Sequence, residues 1–332
     1  MKKIGIVVLI IFTVGLLKAQ QIKLRTNYSM SQKVFELSNF DIQDTILYLP
    51  LGEKGVQVLD IANLDSIKVL SSYTDSEERR GKGTIWGTAH YVKLVDNRLF
   101  LSFGDLGLKV LDVSNPYLLS PVGGYYRNKE VYCFKIFKHY AFIGYKNYGF
   151  EIIDFSDLQN IKLVARKNIK DFPVKDIQIF EPNVFVSGAK RGLKIFEFRK
   201  PFESFKQAGF PRNYLNGNEI YKILIRDKIA YVANNFRGLT VINILLPQYP
   251  SEIFKIKTQG RVNDLLIKGN YLYLSCQKAI HVFDITDPEK PVKIQDYIER
   301  GRDFKSLKIH KNQLFALYKG GRKNYGIVVF DL

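Results

Sequence analysis

The 332-residue sequence predicts an all-β fold, a seven-bladed β-propeller built from four-stranded antiparallel blades. Three observations predict it. One short phrase recurs along the chain at a spacing of forty to fifty residues, each copy lies inside a group of four β-rich runs, and those groups lack the 3.6-residue apolar stripe of a helix.

The phrase is a glycine followed by alternating apolar residues and an acid: GVQVLDI (55–61), GLKVLDV (107–113), GFEIIDF (149–155), GLKIFEF (192–198), GLTVINI (238–244), AIHVFDI (279–285) and GIVVFDL (326–332). Successive copies start 41 to 52 residues apart. A period of that length, with several short strands in each unit, marks a propeller blade rather than a helical solenoid. The unit is clearest over residues 262–297, where VNDLLI, YLYLS, AIHVFDI and VKIQDY are separated by Gly269-Asn270 and by Asp287-Pro288. Runs of β-branched and aromatic residues punctuated by turn formers read as a four-stranded meander.

The last copy ends at Leu332 on a third strand. The run QIKLRTNY (21–28) precedes the first complete unit and is expected to pair beside the final strand, closing the ring with both chain ends and removing an exposed sheet edge. One domain, residues 21–332, is therefore expected. Within the phrase, the glycine suits a tight turn at positive φ. The acid at Asp60, Asp112, Asp154, Asp284 and Asp331, replaced by Glu197 and Asn243 in two copies, is expected to accept hydrogen bonds in the adjoining turn.

Runs such as LKVLDVSNP, LTVINI and IHVFDITDPEKP, preceded by NRLFLS or GNYLYLS, resemble the LVIVD repeat of exported bacterial and archaeal proteins. The resemblance extends over essentially the whole chain after the leader. It implies a β-propeller of the cell surface or envelope and brings no catalytic motif with it.

Residues 1–20, MKKIGIVVLIIFTVGLLKAQ, read as a secretory signal peptide: Lys2 and Lys3, an uncharged apolar run from Ile4 to Leu17, then Lys18-Ala19-Gln20. The run is shorter than the roughly 20 residues a membrane span requires, so no transmembrane span is expected in the mature chain. Cys133 and Cys276 fall three repeats apart and are expected to be buried as small hydrophobes rather than bonded. The formal charge of +18 points to anionic partners, since a surplus of one sign raises the local concentration of the other.

In this architecture the connections from second to third strand share one face with the connections between blades. The first set carries nine basic residues, among them Lys190, Arg191 and Arg237, against the two acids Glu53 and Asp105. Aligned on Val262, the next two positions of each unit read Ser38-Asn39, His90-Tyr91, Tyr132-Cys133, Lys175-Asp176, Tyr221-Lys222, Asn263-Asp264 and Lys305-Ser306, and are expected to rim the channel. One interblade loop, residues 75–91, is longer than the rest and holds Arg79, Arg80, Lys82 and Trp86, the only tryptophan. Long loops in compact domains are commonly functional. Trp86 either stacks on a sugar beside those cations or plugs one end of the channel.

The candidate ligand-binding residues are thus Arg79, Arg80, Lys82, Trp86, His90, Tyr132, Lys175, Lys190, Arg191, Tyr221, Lys222, Arg237 and Lys305. No HExxH, CxxC, GxSxG or P-loop occurs, and neither a metal nor a cofactor is expected. The leading reading is an exported, monomeric, non-enzymatic propeller that binds an anionic glycan, an envelope component or a protein through its basic loop face. Nucleic acid is not an expected partner. The enzyme alternative is a polysaccharide lyase or glycoside hydrolase in which His90 works with Tyr91, Tyr132 or Tyr221 as an acid/base pair; the third reading is an assembly protein of the envelope.

Overall fold

The computed structural model describes residues 23–29, 38–79, 83–199, 205–207, 214–215, 217–321 and 325–332. The expected leader, together with Arg80 and Lys82, lies outside the described residues. The chain begins with β1 (Lys23–Ser29), then forms a first sheet from β2 (Asp41–Gln43), β3 (Ile46–Pro50), β4 (Val56–Asp60) and β5 (Lys68–Tyr73). A small hairpin follows, β6 (Ser76–Arg79) with β7 (Gly83–Trp86). The second sheet is β8 (Tyr91–Val95), β9 (Arg98–Ser102), β10 (Leu108–Asp112) and β11 (Ser120–Tyr125), and the third is β12 (Val131–Phe137), β13 (Tyr140–Tyr145), β14 (Gly149–Asp154) and β15 (Lys162–Lys167). The fourth comprises β16 (Val174–Phe180), β17 (Asn183–Gly188), β18 (Gly192–Phe198) and β19 (Phe205–Gln207), and the fifth β20 (Lys222–Arg226), β21 (Ile229–Ala233), β22 (Leu239–Asn243) and β23 (Ser251–Ile256). The last sheet holds β24 (Val262–Lys268), β25 (Tyr271–Asp284), β26 (Val292–His310), β27 (Gln313–Lys319) and β28 (Tyr325–Asp331), with β1 antiparallel to β28 at its edge.

Over the described residues this is an all-β propeller of six blade sheets, five of four strands and one of six. The expectation of seven separate sheets differs at the C-terminal end, because β26 runs unbroken from the outer edge of one unit into the inner strand of the next. In the sixth copy of the phrase Ala279 replaces the glycine, and β25 runs unbroken through Lys278. Its first half pairs with β24 and its second half with the start of β26. The far half of β26 then pairs with β27, and a single bridge from Gln277 to Asp303 joins the two halves of the sheet.

Burial follows the layering. The middle strands β4, β21, β22 and β28 are buried nearly throughout, because both of their faces meet a neighbouring sheet. The outermost strands β5, β11 and β15 are exposed or half-exposed along their length. The apolar core is accordingly divided into clusters between successive units, for example Phe142, Phe150 and Ile152 against Phe172, Val184 and Phe196. One such cluster lies within the six-stranded sheet, where Tyr273, Ile280 and Val282 meet Leu307, Leu314 and Phe330. Both cysteines are buried and unbonded.

The turn chemistry agrees with the sequence. The carboxylates of Asp60, Asp112, Asp154 and Asp284 each accept from the backbone N–H two residues on, at 2.7 to 2.8 Å, and Asn243 does the same toward Leu245 at 2.8 Å. Asp331 instead accepts from Gln313 and Arg25 on the neighbouring strands.

Glycine is required where the second strand turns into the third. Gly149 has φ +81° and Gly238 has φ +85°, and a Cβ at either would overlap a carbonyl oxygen of the adjacent strand, that of Lys167 or Ile256. The substitution Gly238→Ala is expected to cost ~1–3 kcal/mol, read as a lowered urea midpoint with an unchanged slope; an unchanged midpoint contradicts this account of the turn.

Candidate functional site at the channel mouth

The innermost strands begin with a distortion that builds the site. In β12, β16, β24 and the second half of β26, the pairing skips one residue near the start of the strand: Tyr132, Lys175, Asn263 and Lys305 respectively. An extra residue in one strand bends it and re-aims the side chain, which is a common device at the rims of closed sheets. Each of the four therefore stands out of the ladder at the channel mouth, beside a ladder residue (Cys133, Asp176, Asp264 or Ser306) one place further in. His90 and Tyr221 hold the equivalent position ahead of β8 and β20, donating their backbone N–H groups to Ser102 and Ala233. The turns between second and third strands lie alongside, since isolated bridges tie Gly52 to Ala89, Gly104 to Val131 and Asn235 to Val262.

These residues touch in series. The rings of His90 and Tyr132 stack with centroids 6.0 Å apart. Lys175 Nζ donates to the Tyr132 hydroxyl at 2.7 Å and lies over the same ring at 4.1 Å, with the Tyr221 ring 6.0 Å away on its other side. The Arg261 guanidinium covers Tyr221 at 5.6 Å and donates to Asn263 at 3.0 Å and to Asp303 at 2.7 Å. Asp303 also accepts from Asn263 at 2.7 Å and from Lys305 at 2.6 Å. The outcome is an arc of alternating aromatic and cationic groups. Among the described residues, Lys175 has no carboxylate partner; its charge is held by a phenol and two ring faces.

Beneath the arc the side chains are ionic and tie one unit to the next. Asp176 accepts from Lys222 at 3.2 Å, from the Ile223 amide at 2.9 Å and from Gln178 at 3.1 Å. Asp264 accepts from Ser306 and the Leu307 amide, both at 2.9 Å, and Asn39 exchanges two hydrogen bonds with the Val92 backbone. One pleat deeper, Asp41 is shared by Lys93, the Leu94 amide and Lys308. Burial opposes charge on Lys222, but Asp176, Tyr91 and Asp264 outweigh it and hold the ammonium above its ordinary value. Burial pushes the Asp264 carboxyl up, against the pull of Lys222 and the Leu307 amide. It also raises the Tyr91 phenol to about 12, so Tyr91 keeps its proton at neutral pH.

Of the sequence-derived candidates, His90, Tyr132, Lys175, Tyr221 and Lys305 come together in the arc, with Tyr91 and Lys222 immediately below it. Lys190, Arg191 and Arg237 are exposed on their turns, outside the arc. Arg79 belongs to β6. Trp86 ends the hairpin 59% exposed, bordering a cavity of about 530 Å³ with Glu53, Lys54 and Thr88, and so does not plug the channel. Several cations are neutralised locally: the loop residue Lys146 by Glu130 at 2.8 Å, and Arg127 and, on β15, Arg166 by the buried Glu151 at 3.7 and 3.5 Å. Sequence reasoning did not single out Arg261, Asp303, Asp41, Lys93 or Lys135. The last three lie two residues beyond an aligned rim position, and the two-residue period of a strand puts them on the same face.

Among the described residues no three His, Cys, Asp or Glu side chains stand together as metal ligands, and no helix is long and apolar enough to cross a membrane.

The sequence model of the LVIVD repeat matches residues 86–125, 135–168, 221–258 and 259–298. The chain is an LVIVD-repeat protein. The matched segments of this LVIVD-repeat protein carry His90, Tyr221, Arg261 and Asn263, while Tyr132, Lys175 and Lys305 lie between or beyond them. Among solved structures it is similar to a chain of the mitotic checkpoint complex, with a TM-score of 0.70 at 9% identity over 100% of this chain and 99% of that one. It is also similar to the computationally designed Ika8 protein, with a TM-score of 0.63 at 11% identity over 94% of this chain and 98% of that one. Identities this low speak for the fold alone. No curated protein matches the sequence.

The Asp41 junction gives the LVIVD-repeat protein a pH-dependent fastening. Burial disfavours the carboxylate, yet Lys308, Lys93 and the Leu94 amide more than compensate, and its carboxyl lies below the ordinary value. A depressed folded value contributes stability above the unfolded carboxylate range and loses it as pH falls through the folded value. Asp41→Asn, which leaves two lysines without their partner, is expected to cost about 3 kcal/mol at pH 7. That gap between variant and wild type is expected to narrow from about pH 4 downward in denaturant titrations; a constant gap contradicts the assignment.

Proposed function

We propose that this chain is an exported binding module that holds an acidic glycan across the mouth of its channel. The observation that carries the reading is Lys175, a cation bedded between Tyr132 and Tyr221 with no carboxylate to neutralise it among the described residues. Arg261 beside Tyr221 continues the pattern. Sugar rings stack on aromatic faces while their carboxylates meet the cations, and exposed Phe236, Tyr148 and Trp86 on neighbouring loops extend the surface outward. The basic turns Lys190-Arg191 and Arg237 add attraction at longer range. Protons held by Tyr91 and Tyr221, both raised to about 12 and chiefly by burial, favour binding over acid/base turnover at this mouth.

The finer architecture belongs to the same proposal. The six-stranded sheet consists of two blades joined at the Gln277–Asp303 bridge, with the cluster of Tyr273 and Leu307 as the packing between them. Counted this way the ring has seven blades, and β1 supplies the outer strand of the last, closing it. The leader over residues 1–20 directs export of a monomer, and mass spectrometry of the secreted protein is expected to find a mature N-terminus at Gln20 or Gln21.

Binding to polygalacturonate, with dextran as the neutral control, tests the function. Affinity for the polyuronate is expected to fall steeply with added salt, because exposed charges are screened over about 8 Å at physiological ionic strength. Lys175→Ala is expected to weaken it about tenfold, the worth of one charge-assisted hydrogen bond. Equal retention of dextran and polyuronate at low salt sinks the reading.

A further inference from the structure

Below the mouth the inner strands carry both ammonium groups and apolar side chains. On the strands β8, β12 and β20 the residues Lys93, Lys135 and Lys222 share the face that looks inward, set by the two-residue period from the rim positions. On β20 and β24 the same face continues into Leu224 and Leu266, both only partly buried. Ammonium groups and the two leucines therefore adjoin at this level, with β20 carrying both Lys222 and Leu224.

The ammonium charge is not balanced. Asp41 is already shared by Lys93 and Lys308, and Asp176 is occupied by Lys222, Gln178 and the Ile223 amide. Lys135 is left with a neutral partner, the Gln178 side-chain oxygen at 3.1 Å. The third nearby acid, Asp264, is biased by burial toward its neutral form, which adds to the surplus. Solvent reaches this level: the side chains of Lys93 and Lys222 are 43% and 20% exposed.

We propose that the lumen takes a small organic carboxylate, its carboxylate held by Lys135 with Lys93 and Lys222 and its apolar portion laid against Leu224 and Leu266. Lys135 supplies the vacant ammonium and the leucines supply the surface that an inorganic oxyanion does not use. Burial, then Lys222 and Lys93, hold the Lys135 ammonium below its ordinary value against the opposing pull of Asp176. An arriving carboxylate relieves that strain, so binding is present at neutral pH and is lost as pH rises through the Lys135 titration. The site is separate from the mouth, and its ligand is a small molecule rather than a polymer.

Isothermal titration of the purified full chain with sodium hexanoate, sodium acetate and sodium phosphate tests it. Hexanoate is expected to bind saturably and about tenfold or more tighter than acetate, since even partial burial of its extra methylenes, at ~0.8 kcal/mol each, supplies that factor. Lys135→Met is expected to weaken hexanoate binding about tenfold while leaving polygalacturonate binding intact, which distinguishes failure here from failure at the mouth. In the wild-type protein, independently of any variant, the Lys135 side-chain nitrogen resonance is expected to move on adding hexanoate. Absent saturation, phosphate binding as tight as hexanoate, unchanged affinity in a folded Lys135→Met protein, or an unmoved resonance each overturns the proposal.

Discussion

Everything in this molecule rests on sheets burying both faces against neighbouring sheets. A single four-stranded meander has two apolar faces and no way of covering them alone, so the units succeed only as a ring. That requirement explains why the middle strands are buried on both sides while the outer strands are half-exposed. It also explains why the recurring phrase is nearly all valine, isoleucine, leucine and phenylalanine. Toward the axis the apolar contact gives out, because the inner edges of the sheets converge on the channel. There Asn39, Asp176 and Asp264 take over, each reaching across to a backbone amide of the following unit. Buried carboxylates that accept backbone N–H groups are directional in a way that apolar packing is not, and they fix the axial register of one unit on the next.

The binding surface arises from a departure from regularity. A perfectly paired inner strand would alternate its side chains between the two neighbouring units and leave the mouth lined by backbone. One unpaired residue at the start of the strand turns an extra side chain to the opening, and the chain repeats this device at Tyr132, Lys175, Asn263 and Lys305. Because the bulge belongs to the scaffold, the residue standing on it is released from packing duty. The result is a scaffold of constant form with a variable rim.

Much of this was legible in the residues. The period of the phrase gave the blades, the glycine gave the turn, and the acid gave the hydrogen bond that caps the third strand, including the substitution by Asn243. Alignment on Val262 puts His90, Tyr132, Lys175 and Tyr221 at equivalent positions on the rim. What escaped were relations that no single repeat contains. Arg261 was visible as one loop cation among many, and its value lies in Tyr221 of the preceding unit and Asp303 of the next. The surplus charge was read as a property of a whole face, whereas Glu130 and Glu151 cancel part of it locally. The union of the last units into one sheet turned on β26 running unbroken from Val292 to His310, through the connection that separates units elsewhere, and no residue of the recurring phrase announces it.

The pairing of β1 with β28 joins residues such as Arg25 and Asp331, 306 positions apart. Contacts so distant along a chain are slow to form, since the intervening polypeptide must first be brought into place. During folding the other sheets would thus be complete while this last pairing is still open. The closing step waits on β28, since among the described residues β1 has no other strand to pair with.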